Sequence, residues 1–332
     1  MAAERHRGVA LASRLVFVHG VGGHRDADTE RTAWLSALLA GARRAGHSDL
    51  SDLLADEGRC ETVFAYYGDL FAPRGAQGMA DAGVHDRDEA VMLCHLLDEV
   101  IDGRLAETDD PVHRQVLSSA KRELRPTGTA QGTGNLVRGS LNAATTLLSL
   151  PPVARGGQWL SGKLLVRDLS QVVRYLARRE VEEGRTLDER IREILLSRLS
   201  DQPAVVVAHS LGTVVAFEAL HHHRLTVPLL VTIGSPLGMR SVVWPKLRPQ
   251  PPTTPACVDA WLNCWDRDDL VVTRPKLEAD IAANDRQVAP ESRRVDSDGV
   301  WVHTATKYLA HPEVGGRVAA ALKRMAGRAT GE

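Results

Sequence analysis

The 332-residue chain has no apolar run approaching the roughly 18–20 residues needed to span a bilayer, so no integral membrane segment is expected. It has no excess of charge either: 41 Lys and Arg face 42 Asp and Glu, a formal net charge of −1. That balance provides no electrostatic footprint for nucleic acid. Cysteine is sparse: Cys60, Cys94, Cys257 and Cys264 stand apart with no CxxC spacing. A disulfide scaffold and a zinc site are excluded on that pattern, and buried free thiols are expected. Internal repeats are absent. The N-terminus carries basic residues, but its apolar stretch is short and is interrupted by Ser13 and Arg14 just before the first core segment. A cleaved leader would remove part of the fold, so the chain is read as cytoplasmic.

What remains is ordinary globular composition, 43% hydrophobic and 25% charged. Short apolar runs alternate with helical patterns, the sign of an α/β sheet. Leu15–Val18 is a continuous apolar run ending in His19-Gly20-Val21-Gly22-Gly23, as a parallel strand covered on both faces would read. Residues 30–46 carry Trp34, Leu35, Leu38 and Leu39 at helical spacing. Thr62–Tyr67 reads as the next strand. From Asp69 to Ser200 the pattern is helical or irregular, with amphipathic helices expected at 88–105 and, once or twice, within 166–199. Between these lie a Gly-rich piece, Thr127–Gly139, and an apolar piece, Leu141–Val153, whose flanking glycines read either as hinges of a mobile cover or as parts of a static cap packed on the core, the latter being preferred. Strand signals return at Ala204–Ala208, Leu229–Ile233 and Val258–Trp265, and weakly at Arg294–Asp296. A Pro-rich loop spans Pro245–Pro255, His221–His223 ends a helix, and residues 304–325 form a terminal helix.

Ala204–Gly212 reads AVVVAHSLG: a buried strand, a tight turn at Ser210, then a helical run. This is the context of a nucleophile elbow, whose sharpness demands small residues two before and two after the serine. Ala208 and Gly212 meet that demand, although Ala208 departs from the commoner glycine. Such a turn lifts the hydroxyl above the sheet and sets the Leu211 N–H at a helix N-terminus, where it can stabilise an oxyanion. The bland alternative for Ser210 is a helix N-cap. The turn after the first strand has glycines in the order G-x-G-G rather than G-x-G-x-x-G, which argues against a dinucleotide loop.

With these pieces the sequence resembles the lipase- and esterase-like serine hydrolases of the α/β-hydrolase superfamily. The resemblance rests on Phe17-Val18-His19-Gly20, Ala208-His209-Ser210-Leu211-Gly212 and Gly234-Ser235-Pro236-Leu237-Gly238. It rests also on the acid-bearing stretch Trp261–Val271, and on Asp296–Gly299 with His303, Tyr308 and Leu309. It covers about residues 14–70 and 200–325, and implies a mostly parallel sheet with helices on both faces. Residues 71–199 are then a mostly helical cap or lid insertion together with a core helix near 166–199. The family's order of serine, acid, histidine leaves His303 and His311 as candidate bases, His303 being preferred. The acid is Asp269, with Asp268 and Asp266 as alternatives and Asp296 or Asp298 behind them. Val21, with Gly22 beside it, supplies the second oxyanion donor next to Leu211.

The implied activity is cleavage of a carboxylic ester, small or lipid-like, with no metal or organic cofactor. An acyltransferase, a thioesterase or a non-catalytic binding protein on the same fold are the alternatives. The insertion leaves the sheet in the direction that also carries Gly20 and Ser210. Part of 70–165 is therefore expected to cover Ser210 and line an apolar acyl pocket, with Leu141–Leu160 its most mobile part, open to transient contact with a membrane surface. Oligomeric state is not legible.

Overall fold

Leu15, Val16, Phe17 and Val18 are all fully buried, which explains their unbroken apolar run: β1 (Ser13–Val18) is covered on both faces. The computed structural model describes residues 13–22, 26–55, 60–72, 84–124, 132–150, 161–199, 202–224, 226–296 and 302–330. After β1 come α1 (Ala27–Arg44), α2 (Leu50–Ala55) and β2 (Cys60–Ala65). Five helices follow: α3 (Arg87–Glu107), α4 (Pro111–Leu124), α5 (Thr133–Leu148), α6 (Gly162–Ala177) and α7 (Leu187–Leu199). A small antiparallel hairpin, β3 (Val181–Glu182) and β4 (Arg185–Thr186), joins the last two. The chain then runs through β5 (Ala204–His209), α8 (Leu211–Leu220), β6 (Leu229–Ile233), α9 (Val243–Lys246), β7 (Trp261–Trp265) and β8 (Pro290–Arg294). It closes with α10 (Ala305–Leu309) and α11 (Pro312–Thr330).

Six strands form one sheet in the order β2-β1-β5-β6-β7-β8, and every pairing is parallel. The strand order reverses between β1 and β5. In an open α/β sheet such a switch point leaves a crevice at the carboxyl ends of the strands, which is where ligands bind. Side chains alternate between two cores, as the period of two requires. Leu15, Phe17, Val205 and Val207 pack with α1, α2, α10 and α11 on one face. Val16, Val18, Ala204, Val206 and Ala208 pack with α3 to α8 on the other. The right-handedness of crossovers dictates this split, because β1→β2 and β5→β6 move in opposite directions across the sheet.

The helices between β2 and β5 share a single apolar cluster with the sheet face beneath them, including Leu211, Leu237 and Leu270. Three sequence expectations are corrected here. Most of the Gly-rich stretch is not an irregular hinge: Gly132 is the N-cap of α5, Thr133–Gly139 is its first half, and 127–131 lie outside the described residues. Leu136, Val137, Ser140, Ala143, Ala144 and Leu147 are buried at helical spacing, and that burial offsets the roughly 1 kcal/mol that each helical glycine costs. The terminal helix is two helices, broken before Pro312 because proline cannot accept the preceding residue in helical register. The last strand lies earlier than expected, at Pro290–Arg294, and carries no apolar alternation because it is an edge strand. Of the expected mobile segment Leu141–Leu160, residues 151–160 lie outside the described ones. Among the described residues no helix is long and apolar enough to cross a membrane, and the four cysteines are free and buried.

Candidate active site

β5 ends at His209 and α8 begins at Leu211, so Ser210 alone must turn the chain from strand to helix. It does so at φ 52° and ψ −127°, a strained backbone for a residue with a Cβ. The surroundings hold it there. Its N–H donates to the Ile233 carbonyl at 3.2 Å, and its carbonyl accepts from Thr213 N–H at 2.9 Å and Thr213 Oγ1 at 2.7 Å. Thr213 Oγ1 is in turn 2.8 Å from Ser235 Oγ. Gly212 cannot carry a side chain: a Cβ would stand 2.3 Å from the His19 carbonyl and 2.5 Å from that of Val18. The elbow is thereby pressed against the turn that follows β1.

His303, on the segment leading into α10, brings Nε2 to 2.9 Å from Ser210 Oγ. Its Nδ1 lies 2.8 Å from both carboxylate oxygens of Asp269. An ionised carboxylate can only accept, so Nδ1 carries the hydrogen and Nε2 is left as the acceptor for the Ser210 hydroxyl. Asp269 is held by two further donors, the Val271 N–H at 3.0 Å and the Tyr308 hydroxyl at 2.7 Å. Burial by itself would raise the Asp269 pKa. The electrostatic pull of the adjoining His303 ring and the hydrogen bonds from His303, Tyr308 and Val271 outweigh it and hold the carboxyl below its ordinary value. Tyr308 is raised well above the usual phenol value, first by burial and then by the neighbouring Asp269 charge, so it stays a donor. Gly234, at φ +54°, backs this pair, and a Cβ there would lie 2.8 Å from Asp269 Oδ2 and 3.2 Å from His303 Nδ1.

The other acids have different placements. Asp268 is exposed, Asp266 is buried but turns its Oδ1 to the Asp268 N–H at 2.9 Å, and Asp296 is exposed. Asp298 lies outside the described residues. His311 sits half-buried at the α10–α11 break, accepting from the Glu313 N–H at 3.2 Å through Nδ1. Of the expected oxyanion donors, Leu211 N–H stands at the start of α8 and Val21 lies in the turn after β1. The Gly22 N–H is already engaged. It donates to Gln171 Oε1 at 3.1 Å, while Gln171 Nε2 donates back to the Gly22 carbonyl at 3.1 Å, so Gly22 is a fixed point of the turn rather than a free donor. Tyr67 clamps the other end, its N–H donating to His19 Nε2 at 2.9 Å and its hydroxyl to the His19 carbonyl.

Gln171, Tyr67 and Tyr308 were not singled out for a role by sequence reasoning. Tyr308 stands five residues past the histidine, within the stretch that carries the family resemblance. Nothing local marks Gln171, whose partner is 149 residues away.

α3 also reaches the carboxyl edge of the sheet. Glu99 accepts from the N–H groups of Arg240 and Ser241 after β6, at 2.7 and 2.8 Å, and from Thr273 Oγ1 after β7, at 3.1 Å. Arg104 donates to the Arg267 carbonyl at 3.2 Å. Ser210 is 2% exposed. A cavity of about 250 Å³ opens beside the turn after β1, lined by Gly20–Gly22, α1, the end of β2, His209 and residues 304–306. Among the described residues, 73–165 contribute nothing to its walls. No protein-family model, no curated protein and no solved structure matches the chain.

Proposed function

We propose that this protein is a serine hydrolase of the α/β-hydrolase superfamily that cleaves a carboxylic ester. The observation that carries this reading is the unbroken path from Ser210 Oγ through His303 to Asp269, with each link under 3 Å and the serine held at positive φ on the strand-to-helix turn. Ser210 Oγ attacks the acyl carbonyl carbon while His303 Nε2 takes its proton. Asp269 keeps the imidazole in the required tautomer and stabilises its cation. The developing oxyanion is met by the Leu211 N–H, aided by the α8 N-terminus, and by the Val21 N–H on the braced turn. Collapse breaks the ester C–O bond, and His303 passes its proton to the departing alcohol. Water then attacks the acyl-serine, again giving a proton to His303, and the acid leaves as Ser210 recovers its hydrogen. Every atom is accounted for without a metal or organic cofactor.

The test is a fluorophosphonate probe on the purified chain. Labelling located at Ser210, abolished by Ser210→Ala, together with ester turnover that falls by several orders of magnitude in that variant, is the expected result. An unlabelled wild-type protein would remove the proposal.

A further inference from the structure

Resting on the ester-hydrolase reading, we infer that the cavity beside the oxyanion turn receives the alcohol part of the ester, and that this part is a single uncharged aromatic ring on a short stem. Three features of the cavity carry this, beginning with position. Val21 lines it, and a carbonyl oxygen bound to the Val21 N–H would lie about 3 Å from that nitrogen. The cavity is walled by Gly20 and His209, the immediate neighbours of Ser210, rather than by Ser210 or His303 themselves, so it would take a substituent of the carbonyl carbon and not the carbon itself. Thr304, Ala305 and Thr306, the three residues after His303, form another wall. His303 must hand its proton to the departing oxygen, so the substituent on that side is the alcohol.

Size comes next. The volume is about 250 Å³; an apolar cavity of roughly 150 Å³ admits benzene, and drug-sized ligands take about 300–1,000 Å³. One ring with a few further atoms fits, whereas a long alkyl chain does not. The walls then select the chemistry. Trp34 meets Phe64 edge to face at 5.3 Å and His209 at 6.0 Å, and Tyr66 stacks on His19 at 5.0 Å. Such surfaces favour a ring over a flexible chain. Among the described residues no Lys or Arg lines the cavity and Glu30 is its carboxylate, an arrangement that disfavours an anionic group. In the reaction the bond between the acyl carbon and the benzyloxy oxygen of the Ser210 tetrahedral adduct breaks, that oxygen takes the proton from His303, and benzyl alcohol departs neutral while the acyl group stays on Ser210.

The experiment compares acetate esters of methyl, benzyl and decyl alcohols on the full chain, wild type and Ala33→Trp. Ala33 is an exposed position of α1 on the cavity wall. The expected result is a kcat/KM for benzyl acetate at least about tenfold above that for decyl acetate, and a benzyl-to-methyl ratio that falls at least about tenfold in Ala33→Trp. Benzyl alcohol should inhibit the wild type competitively, and this measurement decides alone if Ala33→Trp does not fold. Ser210 labelled by the fluorophosphonate with a decyl preference, an unmoved ratio or no competition by benzyl alcohol would overturn the cavity assignment and leave the hydrolase reading standing. A ratio that moves for methyl phenylacetate over methyl acetate instead would put the acyl group there and likewise overturn it. An unlabelled Ser210 would overturn both.

Discussion

Gln171 and Gly22 exchange two hydrogen bonds of 3.1 Å, one in each direction, so that a side-chain carboxamide pairs with the backbone as a neighbouring strand would. Through this pair α6, one of the helices between β2 and β5, fixes the turn that follows β1. In the proposed reaction an oxyanion donor is useful only if it is already in place, since its contribution comes from not having to reorganise.

Replacing Gln171 by Met keeps the length and removes both bonds. Loss of a direct oxyanion donor costs about 10²–10³ in kcat; a residue acting through the turn should cost less, about 10- to 100-fold, with KM nearly unchanged. Steady-state kinetics on a short ester, beside a thermal melt, separate this from general loosening. A KM rise with kcat intact would mean that Gln171 shapes binding instead.

The three neighbouring acids give a second expectation. Asp269→Asn should lower kcat by about 10⁴, because an amide can donate to Nδ1 and trap the wrong tautomer. Asp268→Asn should leave kcat within a small factor, the side chain being exposed. Asp266→Asn keeps an oxygen for the Asp268 N–H and should do little more. Tyr308→Phe removes a donor from Asp269 and an acceptor from the Asp266 N–H, which lies 3.0 Å from the hydroxyl. It should cost about 1–3 kcal/mol of stability, measured by urea unfolding, alongside lower activity.

Glu218 anchors α8, the helix that begins at the elbow, to the insertion. It accepts from Tyr175 OH at 2.9 Å, Arg178 Nη2 at 2.6 Å and Arg192 Nη1 at 3.0 Å, and it is buried with Asp188, which shares both arginines. Glu218→Ala strands two largely buried guanidinium groups with one remaining acid. A loss of about 3–5 kcal/mol is expected from such a broken buried pair. An unfolding free energy from urea titration that changes by less than about 1 kcal/mol would show that water or Asp188 compensates.

His221 caps the far end of α8 against Phe217, their rings 4.9 Å apart. Burial, opposed by a bond to the Thr253 backbone, depresses its pKa from 6.5 to about 4. The unfolded chain therefore takes up this proton first. Its contribution is level above 6.5 and is lost as the pH falls from there toward 4. His221→Gln should flatten the stability profile in that window, as followed by urea unfolding at pH 7, 5.5 and 4.5. An unchanged slope would assign the acid sensitivity elsewhere, Asp269 acting only below its ordinary value of 3.8.

The local sequence determined the pieces whose physics is local. An unbroken apolar run specifies a strand covered on both faces, and Leu15–Val18 and Ala204–Ala208 became neighbouring central strands. Small residues around Ser210 specify a sharp turn, and the backbone at φ 52° is that turn. Tertiary structure alone decided the rest. Three acids within four residues look alike along the chain, and only the approach of His303 and Tyr308 from another element distinguishes Asp269. Gly134 and Gly139 read as part of a hinge until burial of α5 against α3, α4 and α6 makes them helical. Gln171 carries no local signal, because its meaning is a bond to Gly22 that exists only once the insertion has folded back over the sheet edge. Periodicity and turn sterics act within a few residues and can be read in order, whereas the partners of buried polar groups are chosen by crossovers that bring distant segments together.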